Sequence, residues 1–123
     1  GVYIPLMLVA PDSLFAAMAH DTRLRALMLL VGQGELCVCE LTHALGLSQP
    51  NVSRHLAQLR EAGLATDRRA GIWVYYRINP ELPAWVTQIL EQTARGVKDQ
   101  APYREDAAVL AEMPNRPGAS CCA

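Results

Sequence analysis

The sequence predicts a mainly α-helical domain that carries one small β-hairpin. Three observations point there. Across residues 41–63, apolar side chains recur at helical spacing on either side of a short turn. Across residues 64–78 the pattern shortens to that of two strands around Gly71. From Pro83 to Val97 the helical period returns.

Taken in order, Leu14, Phe15, Met18 and Ala19 mark a short amphipathic helix, with Asp12 or Ser13 as its cap. Asp21 can cap a second helix whose apolar face is Leu24, Leu27, Met28 and Val31, with Gly32 and Gly34 at its end. The stretch Glu35-Leu36-Cys37-Val38-Cys39-Glu40 then runs into a third helix with Leu41 and Leu45 on one face. Gly46 suits the left-handed position that closes it. Ser48 can cap a fourth helix, where Pro50 is tolerated in the first turn and Val52, Leu56 and Leu59 face inward.

This fourth helix presents Ser48, Gln49, Asn51, Ser53, Arg54 and His55 at its exposed N-terminal end. Short hydrogen-bonding side chains there are what a helix-turn-helix offers to base edges in a major groove. A plain helical hairpin with a polar outer face fits the same local pattern. The hairpin that follows, with a β-branched and aromatic second strand, carries Arg68 and Arg69 near its tip. Behind a recognition helix it reads as a wing reaching phosphates or the minor groove, and the architecture as a winged helix-turn-helix.

Asn79 and Pro80 end the second strand. On the helix from Pro83, the residues Val86, Ile89, Leu90, Thr93 and Val97 form one stripe, with Trp85 beside it. Together with Leu14, Phe15 and Met18 this stripe is expected to form the interface of a two-fold homodimer, which suits a palindromic operator. Residues 1–101 are expected to form the winged helix-turn-helix and dimerisation domain. Residues 102–123 are expected to form a flexible tail, with a short helix feasible over 103–113 and a cysteine pair, Cys121 and Cys122, at its end.

A chain of 123 residues is expected to be one domain, and 51% hydrophobic residues suffice for a core. The net charge is −1, which is not the overall basic balance of a nucleic-acid binder. The distribution matters more. Arg54, Arg60, Arg68, Arg69 and Arg77 face only Glu61 and Asp67 between residues 49 and 79, whereas acids prevail after residue 81. A basic middle acts locally on DNA. No apolar run approaches the ~18 residues of a membrane span, no signal-peptide pattern is present, and no membrane partner is expected. The reading is a cytoplasmic protein whose four cysteines are thiols for binding rather than structural disulfides.

The order of elements resembles the ArsR/SmtB family of winged-helix metalloregulators. Three stretches carry the resemblance: His20-Asp-Thr-Arg-Leu-Arg25, Glu35-Leu-Cys-Val-Cys-Glu40, and Ser48-Gln-Pro-Asn-Val-Ser-Arg-His-Leu56. The stretch over residues 35–40 resembles the family's metal box in its arsenic-responsive form. The resemblance, over residues 12–90, implies a dimeric repressor that leaves its double-stranded operator DNA when a metal or metalloid binds. In the arsenic repressors it most resembles, a third cysteine follows one helical turn after the box; Thr42 stands there in this chain. The family's other common site, with Asp and His ligands on the last helix, has no counterpart after Pro83.

Cys37 and Cys39 share a face only if their segment is extended or the helix start is distorted. Thiolates select soft ions. Trivalent arsenic or antimony takes about three sulfurs in a pyramid, where zinc would want a tetrahedron of four ligands. As(III) or Sb(III) is therefore the expected inducer, with no organic cofactor. Cys37 and Cys39 are its expected ligands, and Cys121 and Cys122 are further candidates. A helix start is also expected to lower the thiol pKa values. Sensing of cadmium, lead or oxidants through the same thiols is the alternative. A disulfide-exchanging enzyme is a more distant one, since no other catalytic groups cluster with the pair.

Overall fold

The computed structural model describes residues 9–117. Among them the chain forms α1 (Pro11–Met18), α2 (Asp21–Gln33), β1 (Leu36–Cys37), α3 (Val38–Leu45), α4 (Gln49–Glu61), β2 (Ala65–Ala70), β3 (Trp73–Ile78), α5 (Ala84–Val97) and α6 (Tyr103–Ala111). The winged helix-turn-helix expected from the sequence is present. The wing is more than a hairpin, because β1 adds to its free edge in the order β1-β3-β2, all antiparallel.

Local chemistry sets most boundaries. Gly46 ends α3 in the left-handed conformation at φ 66°, its N–H donating to the Thr42 carbonyl at 3.1 Å. That conformation costs a side-chain-bearing residue and suits glycine. Ser48 caps α4, its Oγ accepting from the Asn51 N–H at 3.4 Å. Gly71 makes the wing turn at φ 63° between the paired Ala70 and Trp73. Two caps differ from expectation. Pro11 starts α1 one residue before Asp12, so neither Asp12 nor Ser13 caps it. The α2 cap is His20, whose Nδ1 accepts from the Thr22 N–H at 3.1 Å, and Asp21 is already helical.

The core is drawn from every helix: Leu14, Leu27, Leu30, Leu41, Leu56, Leu59, Val86, Leu90 and Leu110 are all at most 1% exposed. Burial of such a side chain contributes about 1.5–3 kcal/mol. This corrects two expectations. Leu14, Met18, Val86 and Leu90 are filled by their own protomer and are not free for a partner. Phe15 and Trp85 remain exposed, with Ile89, Thr93 and Val97 half-buried beside them. The segment after residue 102 is also no loose tail over its described length. In α6, Leu110 is fully buried, and Asp106, 3% exposed, accepts two hydrogen bonds from Arg25 at 2.7 and 2.8 Å. The turn beyond α6 returns Arg116 to Glu40 at 2.7 Å. Apolar spacing over 103–113 is weak because only one edge of α6 is covered, so the sequence carried little sign of this docking.

Candidate thiol site and nucleic-acid interface

Cys37 is at once the last residue of β1 and the N-cap of α3. Its backbone is extended, at φ −71° and ψ 150°, and is held in register opposite Tyr75 of β3. Its N–H donates to the Glu40 carboxylate at 2.7 Å. Cys39 lies in the first turn of α3. This strand-to-helix junction brings the two Sγ atoms to 3.0 Å. Of the two expected routes, an extended segment or a distorted helix start, the structure takes the first: Cys37 is extended and precedes the helix, so an ordinary N-terminus suffices.

Cys37 is 2% exposed and Cys39 is half-buried. Burial first, and then the adjacent Cys37 sulfur, push the Cys39 thiol up to about 12. The lowering expected from a helix start is outweighed, because desolvation penalises the thiolate and a neighbouring sulfur adds to it. Glu40, 2% exposed, is shared by the Cys37 N–H and the Arg116 guanidinium. It fastens the chain beyond α6 to the same junction. One turn past Cys39, the buried Thr42 hydroxyl has no hydrogen-bond partner among the described residues. Among the described residues no third cysteine, histidine or carboxylate completes a three-donor cluster. Cys121 and Cys122 lie outside the described residues.

The pair opens on a cleft of about 530 Å³. Gln49 and Ser53 of α4 form one wall; Arg69, Ile72 and Trp73 of the wing form another. The thiols and the groups expected to read DNA thus border one space.

A family model described as bacterial regulatory protein, arsR family, matches residues 20–67. An arsenic resistance transcriptional regulator of Pseudomonas putida is 55% identical over 112 residues, covering 89% of this chain and 84% of that protein. The chain belongs to the arsR family of bacterial regulatory proteins. The arsenical resistance operon repressor of Escherichia coli is 52% identical over 85 residues, 69% of this chain and 73% of that one. Among solved structures, the AntR antimony-specific transcriptional repressor superposes with a TM-score of 0.59 at 31% identity, covering 75% of this chain and 86% of that chain.

As a member of the arsR family the protein is a DNA-binding transcriptional regulator, and its α3–turn–α4 unit is the helix-turn-helix. The expected reading residues divide. Ser48, Gln49 and Arg54 are exposed, Asn51 and Ser53 partly so. Gln49 donates to Ser53 at 3.1 Å and Arg54 to Asn51 at 2.8 Å, so the face is prearranged. His55 is corrected: it is 6% exposed, its ring 4.2 Å from that of His20, with Arg23 at 3.3 Å and Gln58 at 3.2 Å from its Nδ1. It joins α4 to the start of α2 rather than facing DNA. At the wing Arg69 is exposed, but Arg68 donates twice to Glu35, at 2.6 and 2.8 Å, and lies over the Tyr75 ring. Arg68 sits within β2 rather than at the turn; Ile72, 87% exposed, occupies the turn itself.

Sequence reasoning missed Glu40, Trp73 and Ile72 as neighbours of the thiols. The spacing Cys37-x-x-Glu40 has the form of a capping box with cysteine in the serine place, and that was the available signal.

Proposed function

We propose that the protein is a homodimeric repressor whose operator DNA is released when trivalent arsenic or antimony bonds to Cys37 and Cys39. The observation that carries this reading is the sulfur pair, 3.0 Å apart, on the wall of a cleft shared with the recognition helix and the wing. A soft metalloid suits two adjacent thiols, and neither sulfur has to travel to reach it. The names of the relatives, an arsenical resistance repressor and an antimony-specific one, support the same inducer class.

In this reading Gln49, Asn51 and Ser53 meet base edges. Arg54 and Arg69 meet phosphates, and Arg68 braces the wing through Glu35. Phe15, Trp85, Ile89, Thr93 and Val97 meet their equivalents across a two-fold axis, which sets the recognition helices one DNA turn, ~34–36 Å, apart. The protein acts in the cytoplasm. An inducer in the cleft alters the spacing between the start of α3, helix α4 and the wing. A change from mostly bound to mostly free requires the inducer to prefer the DNA-free form by ~5.5 kcal/mol. Mobility shift on the operator tests this. Arsenite should release the wild type, while Cys37→Ser and Cys39→Ser should bind DNA normally and ignore arsenite. Release of either variant at the wild-type concentration would place the site elsewhere.

A further inference from the structure

The wing turn holds a side chain that its own protomer does not cover. Ala70 pairs with Trp73, so Gly71 and Ile72 alone make the turn between β2 and β3. Gly71 takes a positive φ of 63° and Ile72 does not. That is the pattern of a type II′ turn, whose second place favours asparagine, serine or aspartate. Isoleucine suits neither that place nor solvent, yet Ile72 is 87% exposed and lies outside the strand ladder. The wing beneath it is fixed to the body of the protein. Arg68 is bonded twice to Glu35, and Arg60 of α4 joins Asp67 of β2 and Tyr76 of β3 at 3.1 and 3.2 Å. Ile72 borders the same cleft as Gln49 and Ser53 of α4 and Arg69 of β2. The tip therefore belongs to the face that meets DNA, and Ile72 stands nearer its end than Arg69.

We propose that Ile72 enters the minor groove flanking the major-groove contact of α4 and makes the protein select A·T over G·C at the base pair it covers. The proposal rests on the DNA-binding reading of α4 and the wing, and it is independent of the inducer. The selection works by excluding a donor. On the minor-groove floor an A·T pair shows only acceptors, whereas G·C adds the guanine N2 amino group. That group projects to where the side chain has to lie. An aliphatic side chain accepts no hydrogen bond, so a guanine N–H covered by it is left unsatisfied. Isoleucine is among the apolar side chains that serve as minor-groove wedges, and a fixed wing holds it in place.

The test uses the whole 123-residue chain and operator duplexes in which each base pair flanking the α4 contact is presented in turn as A·T, G·C and inosine·cytosine. Inosine·cytosine keeps the major-groove face of G·C and lacks the amino group. The expected result is a flanking position where G·C weakens binding at least about fivefold against A·T, and where inosine·cytosine restores it. Ile72→Asn, which suits the turn, should bring that ratio close to one, and Ile72→Leu should keep it. Neither variant should change the melting temperature or the salt slope, since no charge is lost. A G·C penalty that persists in Ile72→Asn would overturn the proposal. So would a penalty that inosine·cytosine does not relieve, or the absence of any such flanking position. If the wild type instead binds the operator no better than unrelated duplex, the DNA-binding reading itself falls.

Discussion

Exchanging arsenite for a divalent cation should change how binding depends on pH. The Cys39 thiol, pushed up to about 12 by burial and by the Cys37 sulfur, keeps its proton throughout the neutral range. Arsenous acid carries its own proton acceptors: each hydroxyl leaves with a thiol proton as water, and none reaches the solvent. Cadmium or lead must instead expel the proton from Cys39. Because that pKa is raised, the cation competes with a proton at every pH below it, and its affinity climbs as pH climbs. The slope is tenfold per pH unit for this one proton, or about 30-fold between about pH 6.5 and about pH 8. For arsenite the same interval should produce no change. Trp73 borders the cleft, so its fluorescence can follow both titrations. Calorimetry in two buffers of different ionisation enthalpy counts the protons directly. An arsenite affinity that rises with pH as steeply as that of cadmium would refute the argument that this thiol is held protonated until the metalloid takes it.

Other expectations follow from the same geometry. Leu110→Ala should cost ~2–5 kcal/mol and lower the melting temperature by about 10–20 °C; no change would mean α6 is not part of the core. Gln49→Ala with Ser53→Ala should weaken operator binding by ~1–3 kcal/mol per lost base contact and relax specificity, whereas Arg69→Ala should weaken all sequences alike and flatten the salt slope by about one. Burial first, and then His20, lower the pKa of His55. Its stabilising contribution is therefore complete above the unfolded value near 6.5 and is lost as pH falls through the lower folded value. Urea midpoints should show wild type losing more stability than His55→Gln on acidification, and parallel curves would contradict this.

What the sequence disclosed depended on how local each decision was. Gly46, Ser48 and Pro50 declare the turn and the start of α4 through their own backbone preferences, and the structure follows them. His55 is three residues from Val52 and beside Leu56, on the flank of the apolar stripe. Whether it is covered is decided by His20, which is distant in sequence. The stripe on α5 was visible as a period, but a period does not say whether the covering body is the same chain or a second copy. Val86 and Leu90 turned out to face their own core. The spacing of Cys37 and Cys39 posed a choice between strand and distorted helix; the answer, a junction with one residue on each side, rests on β1 pairing with β3 far along the chain.

The central claim is that arsenic is held by the sulfurs of Cys37 and Cys39. X-ray absorption at the arsenic edge tests it most directly, on the whole 123-residue chain with one equivalent of arsenite in thiol-free buffer. The account predicts two sulfur neighbours and one light neighbour, with no arsenic bound once Cys37 and Cys39 are both changed to serine. Arsenic still bound to sulfur in that double variant would contradict it.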